Sequence, residues 1–266
     1  MLRSARGFSK LAWDPAKASK QSFRCLCSTE NLTKTSFYDL HLELGGKMVP
    51  FAGYHLPVQY EGMGVLKEHM HTRANGSASL FDVSHMGQIL WHGKDAAAFL
   101  EKMVVGDIKG MKAGDSKLSL IMNEEGNIVD DTVISHAGDH YYMVVNGACK
   151  HKDMAHFQKY MAGLDVKMTY LENQQLVALQ GDAAKVVLSR LSNLTLSTMN
   201  FMTTTVTTVA GIPNCRVTRC GYTGEDGFEI SVSQDRAVEL ARKLLGEKGM
   251  GICTIVYEEL CLECLN

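Results

Sequence analysis

Apolar positions along this chain switch repeatedly between helical and strand spacing, with glycine at many of the switches. Phe37, Leu40, His41 and Leu44 recur at helical spacing, and Gly45-Gly46 stops that helix. Residues 47–52 read as a short strand and 53–60 as a loop carrying Pro57; 64–73 is helical, ending near Asn75-Gly76. Residues 80–90 read as one strand, and 95–104 as a helix offering Ala97, Ala98, Phe99 and Met103 for packing. Residues 118–122 and 128–134 are strands joined by a hairpin turn at Asn123-Glu124-Glu125-Gly126. A strand at 141–145 precedes a helix at about 149–161. Strands at 166–171 and 176–180, a helix at 183–191, strands at 203–209, 215–220 and 228–232, and a helix at 234–245 complete the pattern. Irregular alternation with short hairpins predicts an α+β fold rather than a doubly wound parallel sheet.

Composition narrows the function classes. Hydrophobic residues make up 45% and charged residues 21%, with a net charge of -2. No basic excess favours nucleic acid or anionic lipid, and no apolar run is long enough to cross a bilayer. The segment 1–31 differs from the rest: it carries Arg3, Arg6, Lys10, Lys17, Lys20 and Arg24 among scattered serines, and Asp14 is its one acid before Glu30. This reads as a mitochondrial transit peptide, with a disordered basic tail as the alternative; a secretory signal would need a compact apolar stretch. Cys25 and Cys27 fall there, and Cys253, Cys261 and Cys264 fall near the other end, leaving Cys149, Cys215 and Cys220 in the body. That distribution suits a reducing compartment such as the mitochondrial matrix. Cys261-x-x-Cys264 has zinc-like spacing without a second pair, so no metal is expected.

Three segments could carry chemistry. In Ile128-Val129-Asp130-Asp131-Thr132-Val133-Ile134, strand alternation sends the two acids to opposite faces, so at least one neighbours apolar side chains; both acids wet at a strand end is the alternative. In Gly221-Tyr222-Thr223-Gly224-Glu225-Asp226-Gly227-Phe228-Glu229, the glycines mark a tight turn and Glu229 opposes the apolar face of Phe228 and Ile230. Tyr222 offers a ring to stack on a flat heterocycle and Glu229 two acceptor oxygens for an amine-bearing ring, unless this is a hairpin with a solvated Glu. Asp82, Ser84 and His85 are too close in sequence to be taken as a triad, and His69 and His71 lack the spacing of a helical metal pair; both sets read as structural.

FAGYHLPVQY, SLFDVSHMG, NIVDD, ALQG and RCGYTGEDGFEI occur in that order, and together they resemble the aminomethyltransferase (T-protein) of the glycine cleavage system in its mitochondrial form, from about Lys34 to Gly251. The resemblance implies a three-domain cloverleaf around a folate site, here as folate-binding domains over 32–251. It implies transfer of the one-carbon unit from the aminomethyl-dihydrolipoyl arm of the H-protein to tetrahydrofolate. Ammonia is released and 5,10-methylenetetrahydrofolate formed. Asp131 matches the family's key carboxylate, held to orient the folate nitrogens; Glu229 matches the pterin-binding acid, and Tyr222, Met86 and Asn146 match positions lining the folate pocket. Proximity of folate and carrier arm would supply much of the rate. The implied partners are the H-protein with its lipoyl group and the glycine cleavage complex, without nucleic acid or membrane.

The sequence also departs from the family. Asp182 stands where proline is usual, and could cap the following helix. After Gly251 the match stops, Ile252-Cys253 replaces an expected Ala-Arg, and residues 252–266 read as a divergent tail. The Arg that helps bind the folate carboxylate end and the third domain are then missing. A truncated form with weak or no activity is therefore the alternative, together with a non-catalytic folate-binding relative.

Overall fold

The computed structural model describes residues 31–247 and the backbone of 251–255. The expected transit segment up to residue 30 and the Cys261-x-x-Cys264 pair lie outside the described residues. Chain entry is a strand β1 (Thr33–Lys34) and a helix α1 (Tyr38–Glu43), which ends where Gly45 takes φ +78°, a left-handed conformation that glycine adopts without strain. β2 (Gly46–Phe51) and β3 (Tyr54–Tyr60) then form an antiparallel hairpin. Residues 54–60 are thus a strand, not the expected loop. Pro57 is tolerated because β1 pairs with β3 only at Tyr54 and His55, so no neighbour on that side needs its missing N–H.

Helix α2 (Val65–Thr72) leads into β4 (Ser77–Asp82), and β5 (Gly87–His92) follows after a turn in which Met86 N donates to Val83 O. The single strand expected over 80–90 is therefore two strands, and they belong to different sheets. Asp82 breaks the run: its Oδ1 accepts from Ser84 N at 2.9 Å, and Ser84 Oγ donates to Leu176 O at 3.0 Å, turning the chain out of the first sheet.

The remaining elements agree closely with the periodicity, apart from the strand Gly251–Ile255, which falls where no element was expected. They are α3 (Ala96–Met103), β6 (Ser116–Met122), β7 (Ile128–His136), β8 (Tyr141–Val145), α4 (Lys150–Tyr160), β9 (Lys167–Tyr170), β10 (Gln174–Gln180), α5 (Ala184–Leu191), β11 (Thr203–Val209), β12 (Ile212–Arg219), β13 (Gly227–Ser233), α6 (Ala237–Leu245) and β14 (Gly251–Ile255). A single 3-10 turn, Gln234–Arg236, opens the last helix. The three-stranded sheet has the order β1-β3-β2, the five-stranded sheet β6-β7-β8-β5-β9, and the six-stranded sheet β11-β12-β13-β10-β4-β14. β14 pairs in parallel with β4, Gly251 beside Ser77 and Ile255 beside Phe81, so the backbone after Gly251 continues into the large sheet. The fold is α+β, as expected.

Each of the two larger sheets has a helix-covered face. Val177, Leu179, Phe228, Ile230 and Val232 pack with Ala184, Val187 and Leu188 of α5 and Leu240, Ala241 and Leu244 of α6. Ile89, Trp91, Ile121, Ile134, Met143 and Val145 pack with Phe99, Leu100 and Met103 of α3 and Phe157 of α4. Each such fully buried side chain contributes about 1.5–3 kcal/mol relative to exposure. The other faces meet in a third cluster of Phe81, Val83, Tyr142, Val144, Leu176 and Ala178. The result is two sheets face to face, helices outside and a seam between. Among the described residues no helix is long and apolar enough to cross a membrane.

Candidate functional site

The seam is where strand alternation delivers polar groups from both sheets. On β13, Phe228, Ile230 and Val232 point into the helix-covered core, so Glu229 and Ser231 point to the seam. Register confirms it: Glu229 stands opposite Ala178 of β10, and Ala178 opposite Phe81 of β4, both seam residues. Glu229 is half-buried, and burial pushes its carboxyl up to about 7, against which the hydrogen bond from the Cys220 thiol pulls down. Cys220 is raised in turn, by burial and then by the charge of Glu229. From the facing sheet comes Tyr142, whose hydroxyl donates to Gln88 Oε1 at 2.9 Å and whose ionisation burial and Glu229 both oppose. Arg216 lies over the Tyr142 ring, 4.7 Å from its centroid.

The glycine-rich turn before β13 is shaped by one side chain. Gln180 is fully buried; its Nε2 donates to Cys220 O at 3.0 Å and its Oε1 accepts from Thr223 Oγ1 at 3.1 Å. A Cβ at Gly221 would lie 1.9 Å from Gln180 Oε1, and one at Gly227 2.3 Å from its Nε2, so the turn wraps Gln180 too closely for any side chain there. Arg219 locks the turn from outside with two bonds to Asp226, Nε to Oδ1 at 2.9 Å and Nη2 to Oδ2 at 2.6 Å. The turn is thereby fixed with Tyr222 edge-on to Phe81, ring centroids 5.9 Å apart, and with Tyr222 and Met86 packed against the seam cluster. Asp182 accepts from Gly76 N at 2.9 Å and makes no cap bond to α5, whose N-cap is Ala183.

Asp131 and Asn146 form the second part of the site. Thr132 stands opposite Val145 and Val133 opposite Val144, so Asp131 shares the seam face with Val133 and Val144. It is exposed, and Asn146 Nδ2 donates to its Oδ1 at 2.7 Å. The same nitrogen donates to Asp130 Oδ1 at 3.0 Å. The acid set among buried neighbours is Asp130, which points away from the seam toward Asp153 of α4, rather than Asp131. Asp153 belongs to no motif, but its spacing carries a signal: Lys150, Asp153 and Phe157 are the buried positions of α4, a polar-rich stripe at core spacing.

Of the residues set aside as structural, Asp82, Ser84 and His71 have structural partners. Asp82 bonds not to His85 but to His41, Nε2 to Oδ2 at 3.0 Å, while His41 Nδ1 meets the Tyr60 hydroxyl at 2.7 Å and Thr35 Oγ1 donates to Asp82 Oδ2 at 2.6 Å. His85 is buried, and burial lowers it to about 4, so it stays neutral. His71 Nε2 lies 3.2 Å from Ala78 O. Cys149, Cys215 and Cys220 are free thiols, and no group of residues suited to a metal ion occurs among the described residues.

A two-sheet α+β protein with acids and aromatic rings converging on an inter-sheet seam is thus defined. A family model described as the GCVT N-terminal domain matches residues 37–258, past Gly251 and beyond the start of the expected divergent tail. The chain belongs to this family. It is 46% identical over 241 residues to a mitochondrial aminomethyltransferase of Dictyostelium discoideum, covering 88% of this chain and 59% of that protein. It is 49% identical over 223 residues to the mitochondrial aminomethyltransferase of Gallus gallus, covering 82% and 56%. The structure of glycine cleavage system aminomethyltransferase T from Bartonella henselae aligns with a TM-score of 0.76 at 36% identity, over 84% of this chain and 59% of that one. A heterotetrameric sarcosine oxidase of Corynebacterium sp. U-96, at 16% identity and TM-score 0.53, shares the fold. The chain spans less than two thirds of the length of the aminomethyltransferases it matches.

Proposed function

We propose that this chain carries the folate-binding part of a mitochondrial aminomethyltransferase of the glycine cleavage system. The observation that carries the reading is the seam acid Glu229, half-buried and raised to about 7 beside aromatic rings. A carboxyl held short of full solvation gains most from a ligand that presents two N–H donors in a flat ring, as a pterin does. Glu229 would hold that ring, with Tyr222 and Met86 lining it from the turn and the chain crossing between sheets. When bound, tetrahydrofolate accepts the one-carbon unit. Asp131, exposed at the seam edge and fixed by Asn146, would orient the folate nitrogens by accepting a hydrogen bond. The donor of the one-carbon unit is the aminomethyl-dihydrolipoyl arm of the H-protein, within the glycine cleavage complex of the mitochondrial matrix; the relatives' names support aminomethyl transfer, glycine cleavage and the mitochondrion.

The test pairs binding with turnover. Tetrahydrofolate is titrated into the chain and its Glu229→Ala and Asp131→Asn variants, and 5,10-methylenetetrahydrofolate formation from aminomethylated H-protein is followed. Glu229→Ala is expected to weaken folate binding about tenfold or more, the loss of hydrogen bonds to a charged acceptor. Asp131→Asn is expected to leave binding within about threefold while lowering kcat about a hundredfold or more. Absence of saturable folate binding overturns the reading, and equal losses of affinity and turnover in Asp131→Asn reduce Asp131 to a binding residue.

A further inference from the structure

Asp153 lies in the first turn of α4 with none of its surface exposed. An ionised carboxylate there is costly without donors, and neither of its oxygens meets one among the described residues. What faces it is another acid, Asp130 of β7, whose Oδ2 is equally buried and without a donor. The other charged or titratable groups nearby are Asp131 from β7, and Lys152 and Cys149 from the start of its own helix. Lys152 Nζ is 3.9 Å from Asp153 Oδ1, but it is half exposed and donates to Val129 O at 2.7 Å. Burial and then the hydrogen bond to Asp130 push Asp153 up to about 8, so at neutral pH Asp153 carries a proton that it can donate to the facing carboxyl.

The pair connects to the candidate site through a single nitrogen. Asp130 uses Oδ1 for Asn146 Nδ2 at 3.0 Å, and Nδ2 spends its second hydrogen on Asp131 Oδ1 at 2.7 Å. We propose that Asp153 is a positioning residue for Asp131: as the neutral acid it donates its proton to Asp130, which pins Asp130 on one hydrogen of Asn146 and so aims the other at Asp131. This rests on the proposed function only in taking Asp131 to act on bound folate. Loss of the Asp153 proton places two charges face to face in a buried site. Asp130 then withdraws and the Asn146 amide loses its fixed direction.

The experiment follows the Asn146 side-chain amide in the 15N-labelled chain between pH 6 and 9.5, assigned by its disappearance in Asn146→Asp. The two amide hydrogens are expected to titrate together with a midpoint near 8, passing from about 90% to about 10% of the low-pH form between pH 7 and 9. Asp153→Asn, whose amide still donates to Asp130, should hold the low-pH signature throughout. Asp153→Ala should show the high-pH one, and where it fails to fold, Asp153→Asn decides alone. Turnover should fall with the same midpoint in wild type and lose that limb in Asp153→Asn. Amide signals that do not move, or that move equally in Asp153→Asn, overturn the proposal. If they track Asp153 in a chain that binds no folate, the folate reading fails and the positioning role stands.

Discussion

Glu229 makes the stability of the fold depend on pH in a direction that can be worked out. Its carboxyl titrates at 4.5 when unfolded and at about 7 in the seam, because burial disfavours the charge. Between those values the folded state holds a proton that the unfolded state has released. Stability therefore falls as pH rises from about 4.5 to about 7, and levels off above. At about 1.4 kcal/mol per pH unit, the difference of roughly 2.5 units amounts to about 3.5 kcal/mol, reduced to about 2 kcal/mol for a group only half-buried. Glu229→Gln keeps the shape and removes the titration. Urea unfolding at pH 4.5 and pH 8 measures it: Gln should match wild type at the lower pH and exceed it by about 2 kcal/mol at the higher. With an m-value of about 2 kcal/mol/M this is a midpoint shift of about 1 M. A difference between variant and wild type that is the same at both pH values would refute the argument, since it would place the ionised carboxylate in adequate solvent or beside an effective donor. Saturating tetrahydrofolate adds a further expectation: a ring that donates to the carboxylate should shrink the pH dependence of wild type and leave that of Glu229→Gln unchanged.

Two further perturbations probe the frame around the seam. Gly227→Ala would set a Cβ 2.3 Å from Gln180 Nε2 and displace that side chain from Cys220 O and Thr223; a loss of about 2–3 kcal/mol in urea unfolding is expected, and a loss below about 0.5 kcal/mol would show that the turn does not depend on this contact. Asp82→Ala removes the buried acceptor shared by the Thr35 hydroxyl, the Ser84 N–H and the His41 ring and should cost about 3–5 kcal/mol at pH 7. Burial alone would raise Asp82, but the bonds from His41, Thr35 and Ser84 outweigh it and hold the carboxyl below its usual 3.8. The stability it contributes is present above that value and lost as pH falls through the lower folded one, so thermal unfolding should show the gap between variant and wild type narrowing toward pH 3.

How much of this was legible in the sequence follows from how local each determinant is. The helices and the hairpin between β6 and β7 are written in nearby residues: Asn123 Oδ1 accepts from Asn127 N at 2.7 Å and Gly126 takes φ +78°, a turn closed within a few positions. The break between β4 and β5 is only partly local. Phe81, Val83 and Leu90 all pack in the seam, so the pattern runs on apolar; Asp82 turns the chain through the Ser84 N–H two residues on, but the carbonyl of β10 that holds the Ser84 hydroxyl lies far along the chain. Pro57 misled in the opposite sense, because whether a strand needs a given N–H depends on how far its neighbour extends. In the site, Glu229 could be assigned a face from Phe228 and Ile230 alone, and the structure keeps it. Alternation also separated Asp130 from Asp131, but it could not say which face a helix covers. That is settled by α4 lying on the Asp130 side of β7, where Asp153 is buried against it. An acid in the first turn of a helix reads from sequence as a solvated partner of the helix dipole. Only its spacing to Lys150 and Phe157 places it inside, and there its charge state, unlike that of a surface acid, is set by the strand it packs on.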